Sequence, residues 1–131
     1  MDLRVFLVED LRSMRTLMGE LFSAIGGLQL VGGAATEAEA KLWLSDNPGG
    51  WDLTIVDLIL DEGSGIEVLR EAKRRAPASR VVVFSSFATP GIRSHCLSLG
   101  ADAVFDKVDT AAFVSWLDEE VHRLARRGPA P

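Results

Sequence analysis

Trp51-Asp52-Leu53-Thr54-Ile55-Val56-Asp57-Leu58-Ile59-Leu60-Asp61-Glu62-Gly63-Ser64-Gly65 is an apolar run that breaks off in a carboxylate and then in a turn. A run of about four to eight such residues bounded by turn formers reads as a strand buried on both faces. Residues 53–56 are therefore expected to be a central strand. Asp57 falls at its C-terminal edge, where open parallel sheets gather their chemistry. The pattern recurs on either side. Leu3-Arg4-Val5-Phe6-Leu7-Val8 runs into Glu9-Asp10, residues 81–84 run into Ser85-Ser86, and residues 103–105 lead to Lys107.

Between these runs the periodicity changes from strand to helix. Met14, Leu17, Met18, Leu21, Phe22 and Ile25 follow the i, i+3, i+4, i+7 spacing of a helix with one buried face, and Gly26-Gly27 stops it. Residues 28–31 form a weaker strand candidate, frayed by Gly32-Gly33. Thr36 with Glu39 is a capping box opening a helix to about Ser45. Ile66, Leu69, Ala72 and Ala76 predict a third helix closed by Pro77, whose Lys73-Arg74-Arg75 end answers the helix dipole rather than a nucleic acid. Pro90-Gly91 starts a short helix ending at Gly100, with a weak start that suggests mobility. Asp109-Thr110 opens the last one, its stripe being Phe113, Leu117, Val121 (or the neighbouring face at Glu120) and Leu124.

Five strand–helix units in succession imply an α/β fold with a parallel sheet, helices on both faces and right-handed crossovers. The 131 residues fit one domain, expected to span residues 1–127 with 128–131 as a tail or linker stub. The net charge of −5 argues against broad nucleic-acid binding and against anionic membranes. A single cysteine, Cys96, rules out an intrachain disulfide and suggests a reducing compartment. With neither a membrane span nor a signal peptide legible, the expected location is the cytoplasm. His95, Cys96 and His122 have no partner at ligand spacing, and Trp43, Trp51 and Trp116 read as packing residues.

In a doubly wound sheet of order 2-1-3-4-5, strands 1 and 3 flank the topological switch point. Glu9, Asp10 and Asp57 then converge, and like charges so close require compensation. Mg²⁺ suits them, as a hard ion that takes a few carboxylate oxygens and keeps several waters. A phosphoryl group could share its coordination sphere. Lys107 could clamp that group as a point charge, and Ser85 could donate a hydrogen bond to it.

Glu9-Asp10, Asp57, the loop 60–65, Ser85, Gly100-Ala101 and Lys107, in this order at successive strand ends, resemble the receiver domain of two-component response regulators. The resemblance covers nearly the whole chain and is to the stand-alone, chemotaxis-regulator-like kind. It implies a flavodoxin-like fold and a module that takes a phosphoryl group onto Asp57 from a sensor histidine kinase or phosphotransfer protein. It further implies Mg²⁺ bound by Asp10, by Asp57, by the Ile59 backbone carbonyl and, through water, by Glu9. Lys107 and Ser85 would attend the phosphoryl group, and the product would switch contacts with a downstream protein. Such a domain is not an enzyme on other substrates, although it catalyses its own phosphorylation and slow autodephosphorylation.

Two alternatives belong to other classes. A phosphorylation-independent interaction module of the same fold is opposed by the intact Glu9, Asp10, Asp57, Ser85 and Lys107 set. An aspartyl-phosphate phosphatase resembling the haloacid dehalogenases needs an aspartate at position 59, where Ile59 stands. Asp61 reads as a turn carboxylate. The sequence also departs from the receiver pattern. Val104 stands where an aromatic is usual, and alternation turns Phe105 to the other face. Val108 follows Lys107 in place of a proline. Ile59 and Phe87, at positions that tune acyl-phosphate lifetime, are apolar, which predicts slow autodephosphorylation.

Overall fold

The computed structural model describes residues 2–127; the expected tail, 128–131, lies outside the described residues. Five strands, β1 (Leu3–Val8), β2 (Leu28–Ala34), β3 (Leu53–Val56), β4 (Arg80–Ser85) and β5 (Ala103–Asp106), pair in parallel in the order β2-β1-β3-β4-β5. They alternate with α1 (Arg12–Ile25), α2 (Glu37–Asp46), α3 (Gly65–Arg75), α4 (Pro90–Ser98) and α5 (Thr110–Arg127).

Strand alternation divides the core into two layers. Phe6, Val8, Val56, Val81, Val83 and Val104 face one side, packing with Leu44, Leu69 and Cys96 of α2, α3 and α4. Val5, Leu7, Ile55, Val82 and Phe84 face the other, packing with Met18, Phe22, Phe113 and Leu117 of α1 and α5. Phe6 and Phe113 are both fully buried, each contributing about 1.5–3 kcal/mol of burial. Stacking on Trp43 (4.1 Å between ring centroids) and Phe84 (4.1 Å) adds to this.

Two local expectations are corrected. Gly32 and Gly33 do not fray β2; the strand continues through both to Ala34. The Trp43 ring lies over Gly32 so closely that a Cβ there would come within 2.3 Å of it. The glycine makes room for an indole arriving from α2, and the register slips by one residue opposite Val5 and Phe6. On α5 the stripe of Phe113 and Leu117 is completed by Glu120, which is buried. Val121 instead covers Gly27. Glu120 tolerates burial because Arg80 donates to it from Nε at 2.7 Å and Arg123 from Nη1 at 3.0 Å.

Hydroxyl caps open three helices: Thr36 accepts from Glu39 N, Ser64 from Ile66 N and Thr89 from Ile92 N. The basic end of α3 is internally paired. Arg74 and Arg75 both bind Glu71, and Lys73 reaches Asp102 and the Ser79 carbonyl.

Candidate functional site

Register brings the site residues together. Val8 pairs with Val56, so the residues that follow, Glu9 and Asp57, leave the sheet side by side. Asp57 N donates to the Val8 carbonyl at 3.0 Å, and Glu9 N to the Ala34 carbonyl at 2.9 Å. Ser85 pairs with Asp106, and Lys107 N donates to the Ser85 carbonyl at 3.2 Å. Every one of these groups therefore stands where a parallel strand has just ended.

Glu9, Asp10 and Asp57 each place a carboxylate oxygen within 4.8 Å of the others. Lys107 Nζ lies 2.7 Å from Glu9 Oε1 and 2.8 Å from Asp57 Oδ2. Glu9 and Asp57 are buried, at 2% and 6% exposure, and Asp10 is half-buried. Burial pushes the Glu9 carboxyl up to about 7, because the Lys107 hydrogen bond only partly offsets desolvation and the Asp57 charge adds to it. Lys107 feels the opposite balance: burial works against its charge, but hydrogen bonds to Asp57 and Glu9 outweigh it and raise its pKa.

The donor set is three carboxylates, all hard oxygen ligands, on two adjoining strand ends. Carboxylates outnumber the single ammonium of Lys107, and a divalent cation that prefers oxygen would relieve their repulsion. The residues present fit Mg²⁺.

The loop after β3 is held by hydrogen bonds to the Asp57 side chain and within its own backbone. Asp57 Oδ1 accepts from Ile59 N at 3.3 Å, and Gly65 N donates to the Leu58 carbonyl at 3.0 Å. A Cβ at Gly65 would sit 1.9 Å from the Asp57 carbonyl oxygen, so only glycine lets α3 begin this close to the acidic centre. Ser85 is fully buried; its Oγ accepts from Phe87 N at 3.2 Å, and its hydroxyl hydrogen is left available. All peptide bonds among the described residues are trans, Lys107–Val108 included.

Two features went unread in the sequence. Asp61 stands against Asp10, and their hydrogen bond, followed by the Asp10 charge, raises the Asp61 pKa. The only signal for it was a carboxylate four residues past Asp57. The second is an apolar rim: Leu11, Ile59, Phe87 and Val108, one from each of four loops at this sheet edge, are all at least half exposed.

The family model of the response regulator receiver domain matches residues 5–115. The chain belongs to that family. A protein-glutamate methylesterase/protein-glutamine glutaminase of Treponema denticola is 36% identical over 102 residues, covering 76% of this chain and 27% of that protein. A LuxR-family two-component response regulator from Aurantimonas sp. SI85-9A1 superposes with a TM-score of 0.81 at 24% identity, covering 93% of this chain and 86% of that one. The CheX–CheY–BeF3–Mg complex from Borrelia burgdorferi gives 0.75 at 21% identity, over 80% and 78% of the two chains. This receiver chain spans about a quarter to a half of the length of the curated relatives it matches. No helix among its described residues is long and apolar enough to cross a membrane.

Proposed function

We propose that this receiver domain takes a phosphoryl group from the phosphohistidine of a sensor kinase or phosphotransfer protein onto Asp57, and that the product changes which proteins it binds. The observation that carries this reading is the single constellation of Asp57, two further carboxylates within 4.8 Å and the Lys107 ammonium at 2.8 Å. Attack by an Asp57 carboxylate oxygen forms the new P–O bond as the P–N bond to the donor imidazole breaks. The imidazole leaves and takes up a proton, and an acyl phosphate remains.

In this reading Asp10, Asp57 and the Ile59 carbonyl would hold Mg²⁺, with Glu9 acting through water. The ion, when bound, neutralises charge on the transferring phosphoryl oxygens. Lys107 already bridges Glu9 and Asp57, so its short move onto an incoming phosphoryl oxygen exchanges one anionic partner for another. The Ser85 hydroxyl donates to a second oxygen. The half-exposed side chains of Ile59 and Phe87 offer no group to orient a hydrolytic water, which favours a long-lived product.

The switch follows the same geometry. Phe105 packs edge-on against Phe113 (6.0 Å) and Trp116 (6.4 Å) of α5, while Val104 is buried in the opposite layer. An aromatic flip at β5 is thereby disfavoured, and the signal passes through the 85–87 loop and α4. A Phe105 ring that reorients between structures with and without a phosphoryl mimic would refute this part.

Intact mass after incubation with Mg²⁺ and acetyl phosphate tests the whole reading. One added phosphoryl group, absent in Asp57→Ala and after chelation, is expected. No mass gain contradicts it and favours the phosphorylation-independent module.

A further inference from the structure

A second concavity lies at the opposite, N-terminal end of the sheet, between the start of β1, the α3–β4 turn and the last turns of α5. Its volume is about 320 Å³, at the lower end of the range for small-molecule sites. Leu3, Trp51 and Leu124 supply an apolar wall, and four arginines, Arg4, Arg80, Arg123 and Arg127, converge around it.

The charge balance there runs against that of the molecule. Two carboxylates line the cleft, Asp52 and Glu120, and Arg80 also binds Asp102, which Lys73 shares, so five positive charges against three negative leave an excess of two in a chain of net charge −5. Asp52 accepts from Arg4 Nε at 3.1 Å and from Arg4 Nη2 at 3.0 Å, and Glu120 holds Arg80 through Nε at 2.7 Å. Those pairs fix two guanidinium planes. Arg123 commits only Nη1, to Glu120, and Arg127 makes no ion pair within 4.0 Å among the described residues, its charge acting on Asp52 from farther off. Donor forks therefore stand unmatched at the mouth, in the geometry that recognises planar or tetrahedral oxyanions.

We infer that this cleft binds a small phosphomonoester whose dianionic head meets Arg123 and Arg127 and whose body of sugar size rests on the apolar wall. A phosphomonoester carries about −1.5 to −2 at neutral pH, which matches the excess of two. The volume admits a sugar-sized body beside the phosphate, so inorganic phosphate alone leaves the wall uncovered. Nothing in this site depends on the chemistry at Asp57, which lies at the other end of the sheet.

Isothermal titration of the full chain with ribose 5-phosphate, with ribose and with inorganic phosphate tests the inference. Saturable binding of ribose 5-phosphate, at least tenfold tighter than either fragment, is expected. Arg123→Ala combined with Arg127→Ala weakens it at least tenfold, as does the charge reversal Arg127→Glu, and Asp57→Ala leaves it unchanged. Circular dichroism confirms that each variant is folded. The inference is overturned if ribose 5-phosphate shows no saturable binding up to about 10 mM, if inorganic phosphate binds equally well, if the arginine variants bind normally, or if Asp57→Ala abolishes binding.

Discussion

Replacing Glu9 by glutamine removes a carboxylate that burial and the Asp57 charge push up to about 7, while keeping its shape. The folded protein holds the Glu9 proton more tightly than the unfolded chain, whose value is near 4.5. Stability from this group is thus complete below pH 4.5 and is lost as pH rises through about 7. At about 1.4 kcal/mol for each factor of ten, the gap sets a ceiling of about 3 kcal/mol. Dielectric relaxation around a group at a sheet edge reduces this to about 1–2 kcal/mol. Glutamine mimics the protonated acid, so Glu9→Gln is expected to match the wild type at pH 4 and to exceed it at pH 8 in chelator. The expected gain is about 1–2 kcal/mol in urea denaturation, or roughly 4–8 °C in Tm. Added Mg²⁺ should narrow the gap by stabilising the wild type more. A variant less stable than wild type at pH 8, or a difference that does not change with pH, refutes the electrostatic account of the acidic centre.

Other outcomes follow from the same geometry. Lys107→Ala should slow phosphorylation by acetyl phosphate about a hundredfold or more, as loss of a transition-state cation does, read as the rate of intact-mass gain. Gly65→Ala drives a methyl into the Asp57 carbonyl and should cost about 2 kcal/mol or more in urea unfolding; an unchanged midpoint would show that the α3 entry relaxes freely. Glu120→Ala leaves Arg80 and Arg123 without their shared carboxylate. Because both arginines reach solvent, the expected loss is about 1–2 kcal/mol rather than that of a fully buried pair. The acyl phosphate should decay slowly after removal of the phosphodonor, and a half-life of seconds would contradict the reading that the apolar Ile59 and Phe87 orient no hydrolytic water.

Much of this architecture is local and so was legible in the sequence. Leu3–Val8 and Leu53–Val56 announce themselves as buried strands, and a carboxylate after each marks the sheet edge. The parallel pairing of the strands followed from strand–helix alternation. What the sequence hid lies in contacts between distant residues. Gly32 looks like a strand breaker until Trp43 is seen covering it. Glu120 looks like a surface glutamate until Arg80, 40 residues earlier in the chain, arrives beside it. Asp61 reads as a turn residue because its neighbour, Asp10, comes from the end of another strand. The apolar rim was invisible for the same reason: Leu11, Ile59, Phe87 and Val108 belong to four loops that only the sheet assembles.

The claim on which the account rests is that Asp57 itself becomes the acyl phosphate. After treatment with acetyl phosphate and Mg²⁺, borohydride reduces an aspartyl phosphate to homoserine, and peptide mapping then locates the altered residue. Homoserine at position 57 alone, formed only when the metal is present, is the expected result. Homoserine at Asp10 or Asp61, or none anywhere in a protein that has gained phosphoryl mass, would contradict it.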